Sequence, residues 1–376
     1  MPLRRSLLIL ALLAVPSLTG CDNAQESVPP PPASELSLKA ISGNPGVSRE
    51  LLGQQVDRLF DAETVGDTRA LLIERGGEIV AERYGKGYGR TSPFNGWSMS
   101  HCVTGILIGM LVSDGRLRMD ETAPVPGWQR SGDPRGEITI RQLLQMRSGL
   151  RHAEESGEAY PSDRFRMLYL SGRDDMSAYA EAQPLEAEPG RMFEFSSATP
   201  VILADIAARS LTASREPEDR RIAASNYLRS RLFDPAGMDS MVLEFDRAGT
   251  MVSAGTIHGT ARDWARLGEF LRNSGSVKGA QLISRRWIEF MRRPSPRNDG
   301  YGAMLWLNNP QPDGTERLFG RKAPASLFAC LGEEGQYVIA SPEQKLTVVR
   351  LGNTPKDRQA ELQHSLGDLL ALFPVR

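Results

Sequence analysis

The 376 residues are 40% hydrophobic, enough apolar material for one large domain or two interlocked ones. A net charge of −1 with no long basic run argues against nucleic acid as a partner. The four histidines, at 101, 152, 258 and 364, show no paired ligand spacing, so neither a metal nor another cofactor is expected.

The first residues read as a targeting segment. Arg4 and Arg5 precede an apolar run over residues 7–15, followed by Leu18-Thr19-Gly20-Cys21. A charged start, a short apolar stretch and small residues before a cut describe a secretory signal, and the run is too short to span a bilayer. The sequence L-T-G-C resembles a bacterial lipobox. That resemblance implies lipidation at Cys21 and a place in the bacterial cell envelope, lipid-anchored and facing the periplasm. Residues 22–44, with Pro29 to Pro32, read as a short stiff tether. With Cys21 consumed, Cys102 and Cys330 remain. An oxidising periplasm permits them to pair, but both lie in apolar element interiors and a buried free pair is expected.

Leu51, Leu52, Val56, Leu59 and Phe60 give an amphipathic helix within residues 47–64. Residues 70–84 alternate on either side of Gly76-Gly77, a β-hairpin pattern. The next element, over residues 97–112, organises the chain. Val103, Ile106, Leu107, Met110 and Leu111 recur at spacings of three and four, predicting a helix buried on one side. Asn95 is its N-cap, Ser98 falls in the first turn, and Gly105 and Gly109 keep the serine's side small. A hydroxyl among unpaired N–H groups suits a nucleophile whose transition state carries an oxyanion. A serine that merely caps a core helix has the same placement.

Residues 115–275 alternate helices and loops. Residues 301–308 precede strand-like runs at 327–340 and 346–351, joined at Ser341-Pro342, and residues 357–372 read as a closing helix. This order predicts one split α/β domain with a mostly helical insertion.

The segment S-M-S-H-C-V-T-G at 98–105 resembles the S-x-x-K-S-V-T-G segment of the penicillin-recognising serine hydrolases. These include class C β-lactamases, DD-peptidases, related esterases and 6-aminohexanoate-dimer hydrolases. R-S-G-L at 147–150, P-G-x-x-F-x-F-S-S at 189–197, T-A-R-D-W-A-R-L-G at 260–268 and G-x-x-G-Q at 332–336 match in order. T-A-R-D-W-A-R and the late Y-G-x-x-x-W resemble the 6-aminohexanoate-dimer hydrolase branch in particular. The resemblance spans residues 45–372 and implies a β-lactamase/DD-peptidase-like fold of α+β layers, an antiparallel sheet flanked by helices with the helical part inserted.

For activity, the resemblance implies that Ser98 attacks a small amide or ester carbonyl and forms an acyl-enzyme. In the family a lysine one helical turn on takes the proton and the tyrosine of Y-x-N/S relays it. Here those positions hold His101 and Phe195. An offset of three puts His101 on nearly the same face as Ser98, so it is either an unusual base or a polar side chain left in a disused site. A phenyl ring can neither donate nor accept a proton. Phe195, Ser197, Gly332, Glu333 and Glu334 are expected to line the cleft. The two carboxylates either oppose an oxyanion there or point to solvent from a turn. Two functions follow. One is a lipoprotein hydrolase of reduced activity, using Ser98 and His101 on a small molecule. The other is an inactive family member that binds a peptidoglycan-derived ligand or a protein partner.

Overall fold

A computed structural model describes residues 31–157, 160–309 and 318–375; the expected signal segment and Cys21 lie outside them. Helix α1 (Glu35–Ala40) falls inside the stretch read as a tether, which is a correction. The prolines end at Pro32, and the polar residues after them are docking groups. Ser34 caps the helix, and the Asp57 carboxylate on α2 (Arg49–Leu59) accepts hydrogen bonds from Ser34, Ser37 and Arg83.

Gly76 and Gly77, both at positive φ, turn the chain between β1 (Asp67–Arg75) and β2 (Glu78–Tyr84), as the alternation predicted. The C-terminal half returns to the same sheet with β3 (Trp306–Leu307), β4 (Phe328–Gly332), β5 (Gln336–Ser341) and β6 (Leu346–Asn353). The order is β2-β1-β6-β5-β4-β3, and every neighbouring pair is antiparallel. The run at 327–340 is therefore two strands, broken where Glu334 and Gly335 adopt φ of 60° and 79°.

Alternation along the strands gives the sheet two buried faces. On one, Leu71, Ile73, Ile339 and Val348 pack against Leu52, Val56 and Leu59 of α2 and against Leu362, Leu366 and Leu369 near the C-terminus. On the other, Leu72, Val338, Val349 and Leu351 meet α3 (Ser100–Ser113), which a 3₁₀ turn at Trp97–Met99 leads into. Residues His101 to Leu111 are all buried, so α3 is enclosed on every side and not on one. On one flank β4 lies beside it, and from the helical region, which also holds α4 (Asp163–Tyr169), α5 (Ala198–Leu211) packs on it. A Cβ on Gly109 would meet the Trp287 indole at 2.2 Å, so glycine is what lets that ring seat on the helix.

The helical insertion ends earlier than residue 275. Helix α6 (Ala261–Arg272) packs on the main sheet, where a Cβ on Gly268 would meet Thr347 at 2.6 Å. Its T-A-R-D start is a capping box of Thr260 and Asp263, and Arg262 pairs with Glu82 at 2.8 Å. Helix α7 (Gln359–Ala371) closes the chain.

Cys102 and Cys330 form a disulfide with their Cα atoms 6.1 Å apart, where a free pair was expected. Spacing concealed this, because 228 residues separate two positions that α3 and β4 bring side by side.

Candidate active site

Ser98 lies in the 3₁₀ turn before α3. Asn95 is not the N-cap: that position of the turn is Gly96, which has no side chain to offer, and Asn95 Oδ1 instead accepts the Trp97 N–H at 3.1 Å. Trp97 has φ 48°, a left-handed backbone that side-chain-bearing residues rarely adopt, immediately before the serine. The end of β4 reaches this turn because residue 332 is glycine: a Cβ there would meet the Gly96 carbonyl oxygen at 2.2 Å.

The next residue, Glu333, consequently arrives beside Ser98. Its backbone is pinned. Gln336 Nε2 donates to the Glu333 carbonyl at 2.9 Å, while buried Arg350 donates to the carbonyls of Glu334 and Gly335 at 3.2 and 2.8 Å. The Glu333 side chain turns inward and not to solvent. Ser98 N–H donates to Oε2 at 3.2 Å, and both carboxylate oxygens lie 3.1 Å from Ser98 Oγ. Arg164 of α4 places Nη2 at 2.6 Å from Glu333 Oε1.

Arg164 also faces a second glutamate, with Nε 3.9 Å from Glu154 Oε2. Glu154 in turn accepts from both the N–H and the hydroxyl of Ser197, the latter at 2.8 Å. His152 Nε2 lies 3.2 Å from Glu154 Oε1. Burial opposes ionisation of Glu154, but the His152 and Ser197 contacts outweigh it and hold its pKa below the usual carboxylate value. The result is a continuous row: Ser98, Glu333, Arg164, Glu154, Ser197.

His101 stands outside that row. Its ring stacks on Phe195 with centroids 5.4 Å apart, and Phe195 packs in turn on Trp306 and Tyr301. The imidazole is 2% exposed and its Nε2 has no hydrogen-bond partner. Burial pushes its pKa down to about 4, with Glu154 raising it and Arg164 lowering it by smaller amounts. At neutral pH it is therefore an uncharged and feeble base.

A cavity of about 760 Å³ lies against the middle of the row, lined among others by Trp97, Glu154, Arg164, Gly332, Glu333 and Glu334, while Ser98 is not in its wall. Of the residues expected to line a cleft, Gly332, Glu333 and Glu334 do so, whereas Phe195 and Ser197 are not part of its wall. Ser98 is 8% exposed beneath the Glu333 carboxylate. Sequence reasoning missed Arg164, Glu154 and His152. None falls in a matching motif, and the link between residues 154 and 197 follows no helix or strand period. The clue was that two glutamates in a closed turn need a cation, and nothing local indicated which one.

Known proteins share sequence and fold with this chain. The chain is 26% identical over 301 residues to the 6-aminohexanoate-dimer hydrolase of Paenarthrobacter ureafaciens, covering 77% of this chain and 73% of that one. A Bacillus anthracis structure provisionally named a 6-aminohexanoate-dimer hydrolase shares the fold with a TM-score of 0.66 at 20% identity, over 84% of this chain and 81% of that one. A penicillin-binding protein homologue from Caulobacter crescentus does so with a TM-score of 0.58 at 16% identity, over 87% and 98%. The beta-lactamase family profile matches residues 56–372, nearly the whole of the sheet and its helices, and the chain belongs to that family.

Proposed function

We propose that this protein is an envelope lipoprotein whose cleft binds a small amide or ester and turns it over slowly through a Ser98 acyl-enzyme. In this reading Ser98 Oγ bonds to the substrate carbonyl carbon and the amine or alcohol leaves with a proton. Water then releases the acid and restores the serine. Ser98 N–H, at the start of α3, is the donor placed to meet the oxyanion. The disulfide fits an oxidising compartment, in keeping with the lipid anchor read at Cys21.

The observation that carries the word "slowly" is the seclusion of His101. It is buried against Phe195, its Nε2 is unpartnered and its pKa is near 4, while the Ser98 hydroxyl bonds elsewhere. With no matched base on the serine and no hydroxyl at Phe195, its proton passes to water. General acid–base help is worth about 10²–10⁴ in rate, and that is the expected deficit.

The test uses the full-length chain in detergent, a nitrophenyl ester, and the variants Ser98→Ala, His101→Ala and the pair His101→Lys with Phe195→Tyr. Slow turnover that disappears in Ser98→Ala, survives in His101→Ala and rises about 10²-fold or more in the pair is the expected result. Loss of turnover in His101→Ala would make His101 the base and overturn the reading. A native protein indistinguishable from Ser98→Ala would leave the inactive alternative, a cleft that binds a cell-wall-derived ligand or a protein partner.

A further inference from the structure

We propose that the Glu333 carboxylate is a built-in occupant of the oxyanion site, an autoinhibitory group that has to leave before a carbonyl can bind over Ser98. The inference rests on the reading of Ser98 as nucleophile and adds how that nucleophile is held in check.

A tetrahedral intermediate would place its oxyanion against the Ser98 N–H, in the partial positive field at the start of α3. Glu333 Oε2 already accepts that N–H at 3.2 Å, and the same carboxylate engages the attacking oxygen, Ser98 Oγ, at 3.1 Å. One anion thus fills both positions the reaction needs. A substrate oxygen cannot share them, because two negative oxygens at contact distance repel. Nor does the carboxylate hang there loosely. Arg164 clamps it at 2.6 Å from the cavity side, and Gln336 and Arg350 fix the turn that presents it. The close approach of Gly332 to Gly96 seats that turn directly against the turn that carries Ser98. The side chain is the movable part: it is 29% exposed and its cavity face is open to exchange. A role as the serine's base fits less well, since a base seated on the oxyanion donor must vacate it at the moment it is needed.

The experiment measures how fast a fluorophosphonate labels Ser98 in the full-length chain. The Ser98 Oγ–P bond forms as P–F breaks, fluoride departs and the serine proton goes to water. Mass spectrometry locates the adduct. Removing one oxyanion donor typically costs about 10²–10³ in rate, so freeing a blocked one in Glu333→Ala is expected to speed labelling by at least about tenfold. Glu333→Gln, which keeps the shape and drops the charge, should gain less. Ser98→Ala with Glu333→Ala should show no adduct. An unchanged rate in Glu333→Ala overturns the proposal, and a slower one would make Glu333 the base. If Glu333→Ala does not fold by circular dichroism, Glu333→Gln decides: labelling faster than in the native chain is expected, and an unchanged rate overturns the proposal. This result is a ratio of variant to native rates at Ser98. The proposed function instead fails on ester turnover in His101→Ala or on native chain indistinguishable from Ser98→Ala, so the two failures are separable.

Discussion

Two corners of the cleft are built alike and do different work. At each, a serine at the start of a helix gives its N–H and its hydroxyl to a glutamate carboxylate: Ser98 to Glu333, Ser197 to Glu154. Arg164 stands between the two carboxylates. The Ser197 corner is the deeper one. Ser197 is fully buried, and His152 and the serine hold the Glu154 pKa down against its burial. Both carboxylates line the cavity, but the Ser98 corner is the shallower one: its serine keeps 8% exposure and its carboxylate is clamped from the cavity side by one arginine. A serine–carboxylate pair at a helix start is thus no signature of catalysis by itself. What lies behind the carboxylate decides whether the contact is an anchor or a stopper.

The corners also differ in what fixes their backbones, and the largest effect is expected there. The Cys102–Cys330 bond ties the helix that follows Ser98 to the strand that delivers Glu333, while the Ser197 corner has no covalent tie. Replacing both cysteines with alanine should cost up to about 5 kcal/mol in the chain-entropy picture of so long a loop. Thermal melts of native and variant chains, with and without reductant, measure it. A native melt insensitive to reduction of the bond would remove the staple from the comparison.

Next in size is a pH effect from His101, which stands outside the row. The His101 pKa is about 4 in the folded chain, against about 6.5 for an unperturbed histidine. Between those values the unfolded chain binds a proton that the native chain refuses. Stability from the neutral ring is therefore complete above pH 6.5 and is lost as pH falls toward 4, by about 3 kcal/mol in all. His101→Leu should flatten that part of the curve in urea titrations at stepped pH. Equal slopes in native and variant would mean that the imidazole takes up its proton inside the fold. The contribution of Glu154 falls at more acidic pH, because its pKa is held below the usual carboxylate value and its stabilisation is lost only as the pH falls through that lowered value.

How much of this was legible depended on whether the information was local. The β1–β2 hairpin was, since two glycines at positive φ between alternating runs specify a tight turn. So was the helix after Ser98, whose apolar spacing and glycines survive in the packing, although period alone could not reveal a second layer covering its other side. The family motifs brought Ser98, Gly332 and Glu333 together because they were read as one ordered set. Gln336 in the same set shows why: its side chain holds the Glu333 turn. The disulfide, α1 and the Arg164 bridge were not legible. Each joins positions related only by the tertiary fold, and Ser34 with Ser37 reads as linker until Asp57 is seen opposite. The His101 geometry was half legible. Helix spacing put it near the serine's face, while Phe195, 94 positions on, draws the ring into the aromatic core.

The smallest effect expected is the sharpest test of the two-corner difference. Glu154→Ala leaves the N–H and hydroxyl of fully buried Ser197 without their acceptor, and a buried polar group stranded in this way costs about 1–3 kcal/mol. Glu333→Ala removes the same contacts from Ser98, but that serine keeps 8% exposure and water can take the place of the carboxylate, so the loss should stay below about 1 kcal/mol. Urea denaturation of the two variants side by side gives the difference directly. Arg164 makes the test stringent, because it holds Glu333 at 2.6 Å and only approaches Glu154 at 3.9 Å, so stranding the arginine adds to the loss in Glu333→Ala and works against the expected order. Equal losses at the two corners would mean that Glu333 is as structural as Glu154. A small loss at Glu333 alongside faster labelling of Ser98 is the combination that only a displaceable carboxylate produces.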